Sequence, residues 1–303
     1  MATEALARDV LTHWAFCNLA AGLAILMVLA LRRPVRALFG AEVAYLLWLL
    51  PLAAGFAALL PARAAEPGAA AARRFILSGD HASMLGAIWI AGALVAFGLL
   101  AWGQTRFLKR ASAGKAGPAI VGVLTPRMIV PDDYQTRFTD AERAVIRAHE
   151  RAHIERLDPR ANALMALIQC LGWFNPLIHV AVREARLDQE LACDAKVMGR
   201  LSRERGLYAR TLLKTQLGAR ALPLGCHWPA PAPHPLEERV TMLGRPQPTL
   251  RRTALGGALV TAMSLTAAVG AWSAQPDGPP KPTVEPVKWP IVIYARLSLA
   301  SEP

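Results

Sequence analysis

Charge is scarce in this 303-residue chain, and acidic charge is scarcer than basic. Asp and Glu number 22 against 34 Lys and Arg, and charged residues make up only 18% of the total. Cysteine is sparse as well. Cys17, Cys170, Cys193 and Cys226 are scattered without a CxxC pair, so neither a disulfide-stapled scaffold nor a thiolate metal cluster is implied. They read as buried, reduced side chains. No internal repeat is visible. Apolar residues, by contrast, reach 54%, and the mean hydropathy is +0.29. These values suit an integral membrane protein better than a soluble enzyme. The formal net charge of +12 would fit a nucleic-acid binder, but Lys and Arg also collect in the cytoplasmic loops of membrane proteins, so their distribution has to decide.

Four apolar runs, at 11–31, 42–60, 83–102 and 254–274, approach the roughly 20 residues needed to cross a bilayer. The first is no signal peptide, because its basic cluster (Arg32, Arg33, Arg36) follows the apolar run instead of preceding it. The same cluster makes the first loop cytoplasmic. Arg106, Lys109 and Arg110 after the third run, and Arg245, Arg251 and Arg252 before the fourth, say the same of residues 103–253. The mixed-charge loop at 61–82 and both termini are then external. Because the four runs agree on orientation, direct nucleic-acid binding is not needed to explain the charge.

The cytoplasmic insert has its own organisation. The β-branched, Gly- and Pro-punctuated stretch 119–131 predicts a short strand or hairpin. Thr139-Asp-Ala-Glu142 predicts a capping box at the start of a helix that ends near Asp158-Pro159. An apolar helix over about 161–173 follows. Its periodicity leaves open whether it packs in the core of the insert or against the bilayer. Pro176 opens a further helix to about Gly199, and the Pro-rich stretch 222–235 reads as a loop. The expected architecture is mainly α: a membrane region over 1–102, a metal-binding domain over 103–253, a fourth span over 254–274, and a short external Pro-rich tail over 275–303.

Residues 147–158, "RAHERAHIERLD", place His149 and His153 four apart on one helical face, where both imidazoles can reach one ion. Zinc accepts neutral imidazole, and a catalytic site needs three protein ligands and a position for water. Glu150, beside the first histidine, is placed to act as general base. Downstream, Glu190 and Asp194 are also four apart. A Glu-x-x-x-Asp pair on a later helix resembles the gluzincin peptidases, in which the Glu is the third ligand and the Asp orients a ligand histidine.

The segments "GVLTPRMIVP", "HERAHIERLD", "WFNPLIHVAVREARLDQELACD" and "EERVTML", lying between the third and fourth apolar runs, together resemble the BlaR/MecR-type membrane metallopeptidases, bacterial antirepressors and signal transducers. The resemblance implies a gluzincin-like zinc peptidase domain in the cytoplasm, held to the inner membrane by four spans. It implies one zinc per chain, with His149, His153 and Glu190 as ligands, Glu150 as base, and Asp194 behind a ligand histidine. It also implies a cytosolic substrate, a winged-helix transcriptional repressor or the chain itself, and it is compatible with a homodimer. "HPLEERV", from His234 to Val240, resembles a zinc-proximal element of other membrane metallopeptidases, making His234 and Arg239 candidates for stabilising an oxyanion. Tyr208, His179 and His227 are weaker candidates. The large external penicillin-binding sensor of the best-known members has no counterpart in 275–303, and no Ser-x-x-Lys motif occurs there, so β-lactam sensing is not expected. A non-catalytic membrane receptor or scaffold with a metal-stabilised domain is the alternative. An intramembrane protease is disfavoured by Arg143, Arg147, Arg151, Glu155, Arg156 and Asp158 around the motif.

Overall fold

The computed structural model describes residues 2–62, 81–218 and 234–275. The 63–80 loop, the Pro-rich stretch 219–233 with Cys226 and His227, and the tail from 276 onward lie outside the described residues. The architecture is mainly helical. Three described helices are long and apolar enough to cross a membrane: α1 (Ala2–Phe39), α4 (Ala82–Ser112) and α11 (Leu250–Ser273). They mark a multi-pass membrane protein.

The expected second span, 42–60, is not one continuous helix. It forms α2 (Ala41–Leu46) and α3 (Leu49–Ala57), separated by a turn at Leu47 and Trp48. Pro51 has no N–H to offer the Leu47 carbonyl, and Leu50 N takes that oxygen instead at 3.0 Å, tightening the chain there. The pair still runs alongside α1 and α11. At one end of the bundle, Cys17 Sγ donates to Gly55 O and Gln275 Nε2 to Ala57 O, while the Glu4 carboxylate accepts the Ala82 and Ser83 N–H groups that open α4. At the opposite end, Gly40 makes the α1–α2 turn at φ 95°, with Pro248 packed so close that a Cβ would strike it.

Between α4 and α11 lies the remaining unit. Strands β1 (Ala119–Val121) and β2 (Arg127–Ile129) pair antiparallel, with Ile120 opposite Met128, as the predicted hairpin requires. The single turn α5 (Tyr134–Arg137) leads to α6 (Asp140–Glu155), which opens with the full Thr139/Glu142 capping box. Leu157, at φ 60°, breaks the chain sharply before α7 (Asp158–Leu171), and Asn175 caps α8 (Pro176–Arg200) by accepting from Leu177 N. Helices α9 (Arg205–Gly218) and α10 (His234–Leu243) complete the unit.

Most of the 161–173 stretch falls within helix α7, which keeps Leu164 and Leu167 exposed. Helix α7 packs along α4, where Trp89 Nε1 donates to Leu171 O at 2.8 Å and Trp173 Nε1 to Trp89 O at 3.2 Å. The Trp173 ring lies so close to Gly92 that a Cβ there would meet it at 2.2 Å. Gly92→Val should therefore cost about 1–3 kcal/mol of stability by overpacking, lowering the thermal midpoint in detergent without altering metal content. Gly98→Val, whose Cβ meets nothing within 4 Å, is the matched control.

Helix α8 belongs to two cores. Its first half (Ile178, Ala181, Ala185) packs with Val28 of α1, Val43 and Leu50 of α2–α3, and Val260 of α11. Its second half (Cys193, Val197, Met198) packs with Val145 and Ala152 of α6, Tyr208 and Leu212 of α9, and Leu243 of α10. A buried ion network joins the two. Asp188 Oδ2 accepts from Arg32 Nε at 2.8 Å and from Trp48 Nε1 at 2.9 Å, and Oδ1 accepts from Arg32 and Arg36 at 3.0 and 3.2 Å. Arg32 also pairs with Glu184, and Arg36 with Glu238 of α10.

Candidate metal centre

Helix α6 turns His149 and His153 toward one point, and α8 brings Glu190 to meet them. The two imidazole Nε2 atoms are 3.1 Å apart, and Glu190 Oε2 and Oε1 lie 3.5 and 3.6 Å from those of His149 and His153. In a tetrahedral site with bonds near 2.1 Å the ligand–ligand edges are about 3.4 Å, so this donor triangle fits zinc. Two imidazole nitrogens facing each other at that distance repel unless a cation or proton lies between them.

Both rings are held from behind. His153 Nδ1 is 2.7 Å from Asp158 Oδ2, and His149 Nδ1 is 2.8 Å from the Tyr208 hydroxyl, which donates to Asp194 Oδ1 at 2.6 Å. With Nδ1 protonated in each ring, both Nε2 lone pairs face the centre. Asp194 therefore reaches His149 mainly through Tyr208, its own Oδ1 lying 3.4 Å from Nδ1. Arg239 is buried and spoken for: its Nε and Nη2 grip the two Asp194 oxygens at 2.8 Å, and Nη1 lies 2.9 Å from Glu190 Oε2. The described backbone of α10 begins at His234, whose side chain lies outside the described residues. His179 stays away from the centre, with Nε2 3.0 Å from Trp173 O.

A cleft of about 210 Å³ opens over the triangle, lined among others by Ile120 and Val121 of β1, Val145, Glu150 and Leu212. Burial lifts the Glu150 carboxyl above the usual carboxylate range, with the neighbouring imidazoles pulling it part of the way back. For Glu190 burial pushes in the same direction, but Arg239 and the two histidines outweigh it and hold the group far below that range. Burial alone would lower His149; Cys193 and Glu190 beside it carry it up to about 10.

Cys193 offers a second donor set, its Sγ grouping with His149 and His153 within 4.8 Å. That sulfur is fully buried, donates to His149 O at 3.4 Å, and does not line the cleft. Glu190 does line it, with its side chain 34% exposed.

One contributor escaped the sequence reading, and another stood only among its weaker candidates. Asp158 looked like a helix stop, five residues past His153 and off its helical face, and only the left-handed Leu157 folds it back under the ring. Tyr208 lies on a helix with no spacing signal toward the motif.

The matched relatives carry names from regulation and from methicillin resistance. Over 98 residues, 32% of this chain, it is 33% identical to "Regulatory protein BlaR1" of Bacillus licheniformis, covering 16% of that protein. Over 101 residues it is 26% identical to the "Methicillin resistance mecR1 protein" of Staphylococcus aureus and of Staphylococcus epidermidis, covering 17% of each. The matched stretches thus span about a sixth of the length of these relatives. No solved structure matches the chain. The family model described as BlaR1 peptidase M56 matches residues 65–243, a stretch that runs from before α4 to the end of α10 and takes in the whole donor triangle and the residues behind it. The chain belongs to that family of metallopeptidases.

Proposed function

We propose that this chain is a membrane-anchored zinc endopeptidase of a signalling system, and that it cuts a cytosolic protein, a winged-helix repressor or itself. The observation that carries the reading is the convergence of His149 Nε2, His153 Nε2 and Glu190 on one point beneath a cleft that Glu150 also lines. When bound, zinc supplies Lewis acidity to a water and to the peptide carbonyl under attack. Glu150 takes the proton of that water and returns it to the leaving amine, and its burial raises its affinity for the proton in between. Asp158 and Tyr208 fix the two rings, and Arg239 holds Glu190 and Asp194 in place. Strand β1 pairs with β2 on one side and lines the cleft with Ala119–Val121, offering backbone groups to an extended peptide.

The name of the Bacillus licheniformis relative, a regulatory protein, supports a regulatory role. The arginine-rich ends of α1, α4 and α11 support a cytoplasmic metal domain over 103–253 with external termini in a bacterial inner membrane. Residues 41–57, about 26 Å long if helical throughout, serve as the fourth crossing, since Ala57 meets Gln275 at one end and Gly40 meets Pro248 at the other.

Cleavage of the repressor or of the chain itself, present in the intact protein and lost in Glu150→Gln, tests the activity. The ligand set has its own test. Zinc should bind one per chain, be lost in Glu190→Ala and be retained in Cys193→Ser. Asp158→Asn should weaken affinity roughly 10–100-fold, read by competition with a chromophoric chelator. Loss of zinc in Cys193→Ser with retention in Glu190→Ala would move the third ligand to the buried sulfur.

A further inference from the structure

The turn between α7 and α8 sits far up the bundle, and two independent helices measure its height. On α1, the run 11–31 is centred near Ala21. Gly22 faces Leu177, with an added Cβ 3.6 Å from Leu177 Cδ1, and Asn18 Oδ1 accepts from Asn175 Nδ2 at 3.1 Å. On α4, the run 83–102 is centred near Gly92, the residue against which Trp173 packs. Both rulers place "GWFNP" near the middle of those two apolar runs, and Gly55, which accepts from Cys17 beside Asn18, places it near the far end of 41–57, so the turn lies at the middle of the membrane-crossing segments or beyond it.

The charges agree. No Asp, Glu, Lys or Arg occurs between Arg160 and Arg183. From Arg160 to Leu171 a helix rises about 17 Å and from Asn175 to Arg183 about 12 Å, close to the roughly 15 Å of one leaflet's hydrocarbon. Arg183 stands beside Glu184, which pairs with Arg32, so the charged ends of both arms return to the arginine-rich end of α1. Polar groups near the tip are satisfied on the hairpin itself or by the long helices: His179 contacts Gln169 and the Trp173 carbonyl, and Asn175 contacts Asn18. The outward side chains are apolar, with Leu164, Leu167 and Trp173 exposed and Phe174 47% exposed.

We propose that α7 and α8 form a re-entrant hairpin inserted into the leaflet at the arginine-rich end, its tip reaching the bilayer midplane and its outer face covered by lipid acyl chains. Helix α8 then carries the candidate centre down to the membrane surface. Pro176 to Glu190 rises about 21 Å, which puts Glu190 at most about 6 Å beyond the hydrocarbon, at the membrane surface. The α1 ruler agrees, since Asp188 bonds Arg32 just past the end of the apolar run. On the peptidase reading proposed above, a substrate must accordingly present its scissile bond at the lipid surface, so a cytosolic repressor has to dock on the membrane to be cut, whereas a juxtamembrane segment of the chain itself is already there.

The test is a depth measurement on the full chain in phosphatidylcholine–phosphatidylglycerol liposomes, with Cys226→Ser as the unlabelled blank. A nitroxide at Phe174→Cys should be relaxed by oxygen and shielded from a water-soluble nickel chelate, matching a label at Leu94→Cys in α4. Its oxygen-to-nickel ratio should be several-fold above that of a label at Arg203→Cys. A Phe174 label that reads headgroup or aqueous depth, while the Leu94 label reads mid-bilayer, overturns the hairpin. No catalytic readout is involved, so that failure would leave the peptidase reading standing.

Discussion

Glu150→Gln should bind zinc at the stoichiometry of the intact chain yet cut roughly 10²–10⁴-fold more slowly. The substitution is isosteric, and Glu150 is not one of the three converging donors, so the triangle of His149, His153 and Glu190 should survive it. What goes is the group that exchanges a proton with water and the leaving amine. The assay compares both proteins in liposomes, with zinc and a winged-helix repressor from the same cell, and follows fragments by mass spectrometry. Cleavage that disappears in the variant establishes the peptidase and identifies the bond. Identical uncut patterns, with zinc bound and the stimulus supplied, would make the chain a metal-stabilised signalling scaffold. Because burial is what raises Glu150's proton affinity, Glu150→Asp should also be severely impaired: its shorter arm withdraws the carboxylate from the cleft while leaving its charge.

The largest stability effect should follow Asp188→Ala. Asp188 has no exposed surface and accepts four hydrogen bonds, three from Arg32 and Arg36 and one from Trp48. Removing it leaves two buried guanidinium groups short of a partner, a loss of about 3–5 kcal/mol. That corresponds to a thermal midpoint lower by on the order of 10 °C for a chain of this size. Glu184→Ala should cost much less, because Arg32 keeps Asp188 and the Glu184 side chain already reaches water. Light-scattering or fluorescence melts in detergent separate the two. Equal midpoints for Asp188→Ala and the intact chain would show that apolar packing alone holds α8 against α1.

What could be read from the sequence was local. The capping box needs only Thr139 and Glu142, the hairpin only its β-branched runs and turn residues, and the two histidines only the 3.6-residue period; all three appear where expected. What could not be read was set by distant partners. Arg32 and Arg36 report orientation in sequence, yet their partner Asp188 lies on α8, about half the chain away. The break in the second apolar run turns on one missing N–H at Pro51, which hydropathy does not register. The two arms around "WFNP" are each too short to cross a bilayer, so a window sized for spans passes over them. Cys193 shows the opposite failure, since burial beside His149 makes it a geometric candidate that no spacing suggested.

That α8 is shared between two cores has a mechanical consequence. A receptor whose output module hangs on a linker can signal by swinging it. Here one uninterrupted rod of 25 residues runs from the apolar bundle into the centre, clamped along its length by Asp188 and by packing on both halves. There is no pivot within it. A stimulus felt by the bundle can reach Glu190 as a slide or a twist of the whole rod, and a donor triangle with edges of 3.1 to 3.6 Å is detuned by a fraction of an ångström. Such a device needs no large motion to be switched, only a small and well-aimed one.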